Sequence, residues 1–308
     1  VGSCAVGAWA FAAATLGASI LNSVSTLTAD DATAKVTFNV TIPAGTGFTH
    51  ALYIYEGIDF LVGITTAQMA GVTSSGSHTV NLTGAQKNVL LARMPDRKSF
   101  NGRFYLVTFD GGTTIGNWSE KFATIQTTTA NSAPTFTGFT HSEQNAKVTA
   151  VVAGAYYVQS LSDIKIVCTA ATAKNGSSIS KYGATIGAKT VTSGSTTIAF
   201  GAPAVCGIDY TISVYAEDSR GYKTTITDTK TIGCYAWPQV LEWQARRKDS
   251  VGEQTALYVL GQVQYSAGAT LKMAEYRIQP SDGSYGAWTE LTPTSVASTV
   301  GGKRTYLY

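Results

Sequence analysis

Three histidines, four cysteines and nineteen carboxylates are the side chains of this sequence suited to metal binding or acid–base work. Their spacing limits what they can do. His50, His78 and His141 follow no H-x-x-x-H or H-E-x-x-H pattern, the arrangements that set two imidazoles on one helix face. Two of them close the triplets Phe48-Thr49-His50 and Phe139-Thr140-His141, which read as a repeated strand start. Glycoside hydrolysis needs two convergent carboxyls. Glu217 and Asp218 are neighbours on a strand end and point to opposite sides, while Asp30 and Asp31 lie in a connector. Asp209, Asp218 and Asp228 are the carboxylates that could hold Ca²⁺ between modules, although turn chemistry accounts for Asp218 equally well. There is no G-x-S-x-G elbow, P-loop or Rossmann glycine set. The expectation is a non-enzyme with no catalytic residues, no metal site and no cofactor beyond that calcium option.

Cys4, Cys168, Cys206 and Cys234 match no CxxC spacing of zinc or redox sites. Free, buried thiols are expected, with a Cys168–Cys206 bridge as the alternative. Aromatic rings are the remaining candidates. Tyr53, Tyr55, Tyr156, Tyr157, Tyr182, Tyr215, Trp237 and Trp243 include several opposite the apolar stripe of their strands. Exposed rings stack on sugars or fill protein interfaces, whereas paired Thr-Tyr faces also arise from ordinary cross-strand packing. Tyr156, Tyr157, Tyr182 and Tyr215 are the candidate binding residues, read as exposed.

The elements that would position these groups are strands. In Ile208–Cys234, Tyr210, Ile212, Val214 and Ala216 alternate with Thr211, Ser213, Tyr215 and Glu217, the period of a strand with one buried face. Asp218-Ser219-Arg220-Gly221 then reverses the chain into a Thr-rich return strand. Asn101–Gln126 repeats this order around Asp110-Gly111-Gly112. Asp110 and Asp218 are 108 positions apart and Pro134 and Pro238 are 104 apart. That spacing fits tandem sandwich modules of about 100 residues.

The fold class is therefore all-β, in tandem antiparallel β-sandwich modules of the Ig-like or fibronectin III-like kind. The expected boundaries are 1–28 (the end of a preceding module plus connector), 29–132, 133–236, and an incomplete third module at 237–308. Cys4–Phe11 is read as the closing strand of the preceding module and Ala12–Thr28 as connector. Further expected strands are Lys35–Ile42, Phe48–Tyr55, His78–Leu82, Ala146–Val152, Asp163–Thr169, Ser178–Ala184 and Thr196–Phe200. Thr83 is expected to cap one short helix near 83–94, stopped by Pro95. Lys174-Asn175-Gly176 and Pro280-Ser281-Asp282-Gly283 are read as turns.

Charged residues make up 13 % of the 308, about half the usual share, and the net charge of +3 is scattered. Arg246-Arg247-Lys248 is too short a basic run for a nucleic-acid partner. Residues 1–29 carry no charge, but their Gly, Ser, Thr and Ala content and lack of a basic start fit neither a membrane span nor a signal peptide.

The order FTHALYIYEG, NGRFYLVTFDGG, APTFTGFTH, ISVYAEDSRGYKTTITDTKTI and WPQVLEWQARRKDS through LKMAEYRIQPSDGSYGAWTEL resembles minor structural or tail-fibre-like proteins of siphophages of Gram-positive hosts. That family is a domain of unknown function and brings no catalytic residues to carry over. The resemblance implies a virion component near the tail tip, assembled in the host cytoplasm, whose partners are other tail proteins and further copies of itself. A host wall polysaccharide is the other expected partner. A secreted bacterial surface adhesin with Ig-like modules is the alternative reading.

Overall fold

Val36, Phe38 and Val40 are buried while Lys35, Thr37, Asn39 and Thr41 between them face outward or lie half-buried, as the alternation requires. The computed structural model describes residues 17–44 and 47–235 and, beyond them, the backbone of six strands between Gln239 and Leu307. Contacts divide the chain into two units. The first takes in the chain to Thr135 with Ala171–Ser180 and Ala216–Thr224; the second takes in Phe136–Ala170, Lys181–Tyr215 and the chain from Thr225 onward.

The first unit holds β1 (Ile20–Val24), β2 (Leu27–Thr28), β3 (Lys35–Thr41), β4 (Thr49–Glu56), β5 (Asp59–Ile64), β6 (Gly76–Asn81), α1 (Gly84–Ala92), β7 (Ser99–Asp110), β8 (Thr113–Gln126) and α2 (Thr129–Ser132). One sheet runs β1-β3-β6 and the other β2-β8-β7-β4-β5. Val36, Phe38 and Val40 of the first sheet share a core with Leu52, Ile54, Phe104, Leu106 and Ile125 of the second. This is a β-sandwich. Thr83 Oγ1 accepts from Gln86 N at 3.2 Å and Gln86 Oε1 from Thr83 N at 2.8 Å, so a capping box starts α1 where a helix was expected. Its Leu90 and Leu91, and Met94 beyond it, join the core.

Residues 20–28 had read as connector. They form β1 and β2 instead, with Leu21 and Leu27 buried. A bulge between Leu21 and Ser23 breaks the alternation that marks a strand in sequence.

Two tight spots in this sandwich have measurable consequences. A Cβ on Gly102 would lie 2.5 Å from Ile125 Cδ1, so glycine lets β8 pack its isoleucine across β7. Gly102→Ala is expected to cost about 1–3 kcal/mol in denaturant unfolding; an unchanged midpoint would refute the packing argument. His50 is 1 % exposed, with Nε2 2.9 Å from Ser19 Oγ, and burial lowers its pKa from 6.5. The unfolded chain therefore takes up a proton near that pH that the folded chain refuses. Stability should be full above about pH 6.5 and fall as pH drops toward the lower folded value. Denaturation at pH 7.5 and 5.5 checks the sign, and His50→Gln should flatten the change.

The second unit holds β9 (Phe139–Glu143), α3 (Ala146–Val152), β10 (Tyr157–Val158), β11 (Ile164–Cys168), β12 (Ile179–Ile186), β13 (Lys189–Ser193), β14 (Thr197–Gly201) and the body of the hairpin β15 (Gly207–Asp218) and β16 (Lys223–Gly233). Its sheets run β14-β11-β9 and β10-β16-β15-β12-β13. Ile166, Ile198, Phe200, Ile212, Val214 and Ile186 are buried. Ala146–Val152 was read as a strand and is a helix. Asn145 Oδ1 caps it by accepting from Lys147 N at 3.0 Å, Val148 and Val152 turn inward four residues apart, and Ala153 ends it at φ 47°.

Cys206 and Cys234 form a disulfide with Cα atoms 4.8 Å apart. This overturns the expectation of free thiols for both residues, and the alternative Cys168–Cys206 bridge with it. Cys168 is free and buried, and burial pushes its thiol pKa up to about 11.

The tip of the β15–β16 hairpin, the loop 171–178 and the first two residues of β12 belong to the first unit. Gly221, at φ 82°, donates its N–H to Asp218 O at 2.9 Å, closing the turn read from sequence. Asn175 and Gly176, at φ 53° and 80°, make the second expected turn. The Tyr222 hydroxyl donates to Thr127 O at 2.8 Å, and Asn175 Nδ2 donates to Ser132 Oγ at 2.9 Å.

Farther along come β17 (Gln239–Arg247), β18 (Leu257–Ser266), β19 (Ala274–Tyr276), β20 (Thr289–Leu291), β21 (Ser295–Val300) and β22 (Lys303–Leu307). They form the sheets β17-β18-β22-β21 and β19-β20. The expected strand Cys4–Phe11, the junction at Pro238 and the turn at 280–283 lie outside the described residues, as do the side chains of Trp237 and Trp243.

Candidate functional site

The outer face of the sheet β2-β8-β7-β4-β5 carries a continuous set of aromatic rings. It follows from register. Leu52 and Ile54 point into the core, so Tyr53 and Tyr55 face out; Phe104 and Leu106 point in, so Arg103 and Tyr105 face out. Tyr53 pairs with Tyr105 and Tyr55 with Arg103 across β4 and β7, while Tyr105 pairs with Glu120 and Arg103 with Phe122 across β7 and β8. On the other side, Tyr55 pairs with Phe60 of β5, the last strand of the sheet.

Rings meet at every step. Tyr55 packs edge-on against Phe60 at 5.5 Å and Tyr105 at 5.3 Å, Tyr105 against Trp118 at 5.7 Å, and Tyr53 lies 5.8 Å from Trp118. Edge-to-face packing of this kind is the arrangement that ring quadrupoles favour. Gly63, opposite Tyr53, leaves room for the tyrosine ring, which stands 3.3 Å from where a Cβ would be. The guanidinium of Arg103 sits 4.6 Å from the Tyr105 ring centre and 5.8 Å from that of Phe122. It also donates to Glu120 Oε2 through Nε at 2.7 Å. That bond holds the Glu120 carboxyl below the usual range, while partial desolvation raises the Tyr105 hydroxyl. Phe60, Trp118 and Phe122 remain 54 %, 47 % and 58 % exposed.

Of the four tyrosines read as exposed binding residues, two are corrected. Tyr157 is 3 % exposed and Tyr182 is 5 % exposed. The Tyr157 hydroxyl lies 2.6 Å from His141 Nδ1, and His141 Nε2 donates to Asp228 Oδ2 at 3.1 Å. Burial, with the charges of Glu143 and Asp228, pushes the Tyr157 hydroxyl up to about 12. Tyr182 packs edge-on against Phe136 at 6.2 Å. Tyr156 and Tyr215 are half-buried, their rings laid over Gly233 and Gly183. The four are thus built into the second unit's packing.

Phe60, Arg103, Tyr105, Trp118, Glu120 and Phe122 were not singled out from sequence. Their signal was present: Arg103-x-Tyr105 and Trp118-x-Glu120-x-Phe122 keep one parity on the two strands of the Asp110-Gly111-Gly112 hairpin.

The carboxylates behave as separate groups. Asp218 is consumed by its own turn and by Ser177, Asp228 binds His141 and Asp209 lies exposed at φ 53°. Among the described residues, no group of three or more His, Cys, Asp or Glu could hold a metal ion. Phe48-Thr49-His50 and Phe139-Thr140-His141 both open strands, β4 and β9. Among the described residues, no helix is long and apolar enough to cross a membrane.

Sheet order, core and outer face define an all-β protein of tandem antiparallel sandwiches of the Ig-like or fibronectin III-like class. More particularly, the chain belongs to the family described as "Siphovirus protein of unknown function (DUF859)", whose pattern matches residues 21–265. No curated protein matches it. Similar solved structures include the fibronectin(III)-like modules of Clostridium thermocellum CbhA, at 15 % identity over 70 % of this chain and 94 % of that one, with a TM-score of 0.29. The chicken CNTN1 FN1–FN3 domains are 14 % identical over 70 % and 68 %, with a TM-score of 0.22. A Ca²⁺-stabilized adhesin that helps an Antarctic bacterium bind ice is 13 % identical over 95 % and 66 %, with a TM-score of 0.29.

Proposed function

We propose that this chain is a structural subunit of the siphovirus virion, a tail-tip or tail-fibre protein that contributes to host attachment. Its modules, taken as 29–132, 133–236 and the stretch from 237, act as rigid spacers and docking surfaces. The observation that carries this reading is membership of a siphovirus family over residues 21–265. The weakly charged, strand-built surface supports it, since stacked sandwiches bury their own cores and leave outer faces for neighbours. In this reading the partners are other tail proteins and further copies of the chain, assembly occurs in the host cytoplasm, and the subunit catalyses no reaction.

Immunogold labelling of purified phage particles, with antibody raised against residues 29–236, tests it. Gold at the tail tip or fibres is the expected result. Particles left bare in both intact and permeabilised preparations would overturn it.

A further inference from the structure

We propose that the aromatic outer face of the first unit is a binding site for a neutral glycan chain, which stacks on Phe60, Trp118 and Phe122 and hydrogen-bonds to Arg103 and Glu120. Three observations lead there. The first is exposure: three large rings keep about half their surface open to water, Phe60 and Trp118 braced by Tyr53, Tyr55 and Tyr105, and Phe122 joined to them through the Arg103 guanidinium, which lies over both Tyr105 and Phe122. The bracing contacts also orient the rings before a ligand arrives, which lowers the ordering cost of binding.

The second observation is charge. Arg103 and Glu120 neutralise each other through a 2.7 Å bond, so the pair offers a ligand hydrogen-bonding groups without a net field. Guanidinium has five N–H donors and a carboxylate about four acceptor positions, so both keep capacity beyond their mutual bond. A sugar ring presents apolar C–H faces and a rim of hydroxyls. It matches rings beside a donor–acceptor pair.

The third observation is size. Four strands at about 4.8 Å spacing and the five residues Trp118–Phe122 outline a patch of about 15 by 13 Å, a small part of the roughly 800 Å² per partner that a stable protein pair buries. The patch fits an extended chain of a few sugar rings better than a protein face.

This inference does not depend on the tail assignment, and its failure would leave the gold-labelling result untouched. The test uses the whole 308-residue chain on a printed glycan array, and affinity electrophoresis in dextran, hydroxyethyl cellulose, galactomannan and the anionic polygalacturonate. Retention by at least one neutral glycan, unaffected by added salt, is the expected result. Trp118→Ala and Phe122→Ala should each weaken it about tenfold or more, the loss of one stacked ring, with unfolding midpoints close to wild type. Arg103→Met should weaken it too, whereas Lys165→Met on the second unit should not. Absence of neutral-glycan binding, preference for polygalacturonate, or unchanged retention by the ring variants would each overturn the proposal. Concentration-dependent self-association abolished by the same ring variants would identify a second copy as the occupant and would also overturn it.

Discussion

Asp218→Ala is expected to lower the unfolding free energy by about 3–5 kcal/mol, because it leaves a buried guanidinium without its counter-charge. Asp218 and Arg220 have side chains with 0 % exposure, and Arg220 Nε donates to Asp218 Oδ2 at 3.2 Å. The carboxylate does more than balance charge. Its Oδ1 accepts from Arg220 N at 3.0 Å and Tyr222 N at 2.8 Å, so it also shapes the turn, and its Oδ2 accepts from Ser177 Oγ at 3.0 Å. Arg220 Nη2 in turn donates to Ser177 Oγ at 2.7 Å and to Lys174 O. Removing Asp218 therefore orphans donors from three residues inside the first unit. Asp218→Asn keeps the acceptor for the turn and loses the charge, and should cost less than alanine. Urea unfolding with a fitted slope separates these outcomes. A loss below about 1 kcal/mol for alanine would show that the pair is solvated in solution, against its burial here.

Loss of the Cys206–Cys234 disulfide is expected to destabilise the second unit by about 3–4 kcal/mol, the chain-entropy value for a loop of 28 residues. The bridge ties the residue before β15 to the residue after β16, so it closes the open end of that hairpin. Without it, the unfolded chain gains freedom that the native hairpin never had. Cys206→Ser and Cys234→Ser should lower the denaturation midpoint by similar amounts, and added reductant should affect wild type but neither variant. Peptide mapping under non-reducing conditions should find the two cysteines linked and Cys168 unmodified by alkylating agent until the protein unfolds. A midpoint indifferent to reductant would show that the bridge does not form in solution.

Sequence periodicity carried the local structure well. Alternation over Lys35–Ile42 and Tyr210–Ala216, Gly111-Gly112, Asp218-x-x-Gly221 and the Thr83 cap each name an element that the structure contains, β3 ending one residue sooner at Thr41 and Gln86 completing the cap as a box. The reason is that each depends on backbone preference within a few residues. Ala146–Val152 shows where a local reading fails: its valines suit a strand, but Asn145 capping and the inward turn of Val148 and Val152 make it a helix. The disulfide had a legible signal as well. Cys206 precedes Arg220 by 14 positions and Cys234 follows it by 14, which sets them opposite each other once the turn is centred there.

What the sequence determined by itself was the class, all-β with hairpins about a hundred residues apart, because strand period and turn chemistry are written in neighbouring residues. Only the tertiary structure decided which rings meet water. Tyr53 and Tyr55 alternate with Leu52 and Ile54 and support an open aromatic face, whereas Tyr182 shares the parity of Ala184 and Ile186 and is covered with them, and Tyr157 is covered in a strand of two residues, too short to show a period. Covering depends on a second layer contributed by distant segments, and alternation within one strand distinguishes its two faces without saying what lies over either.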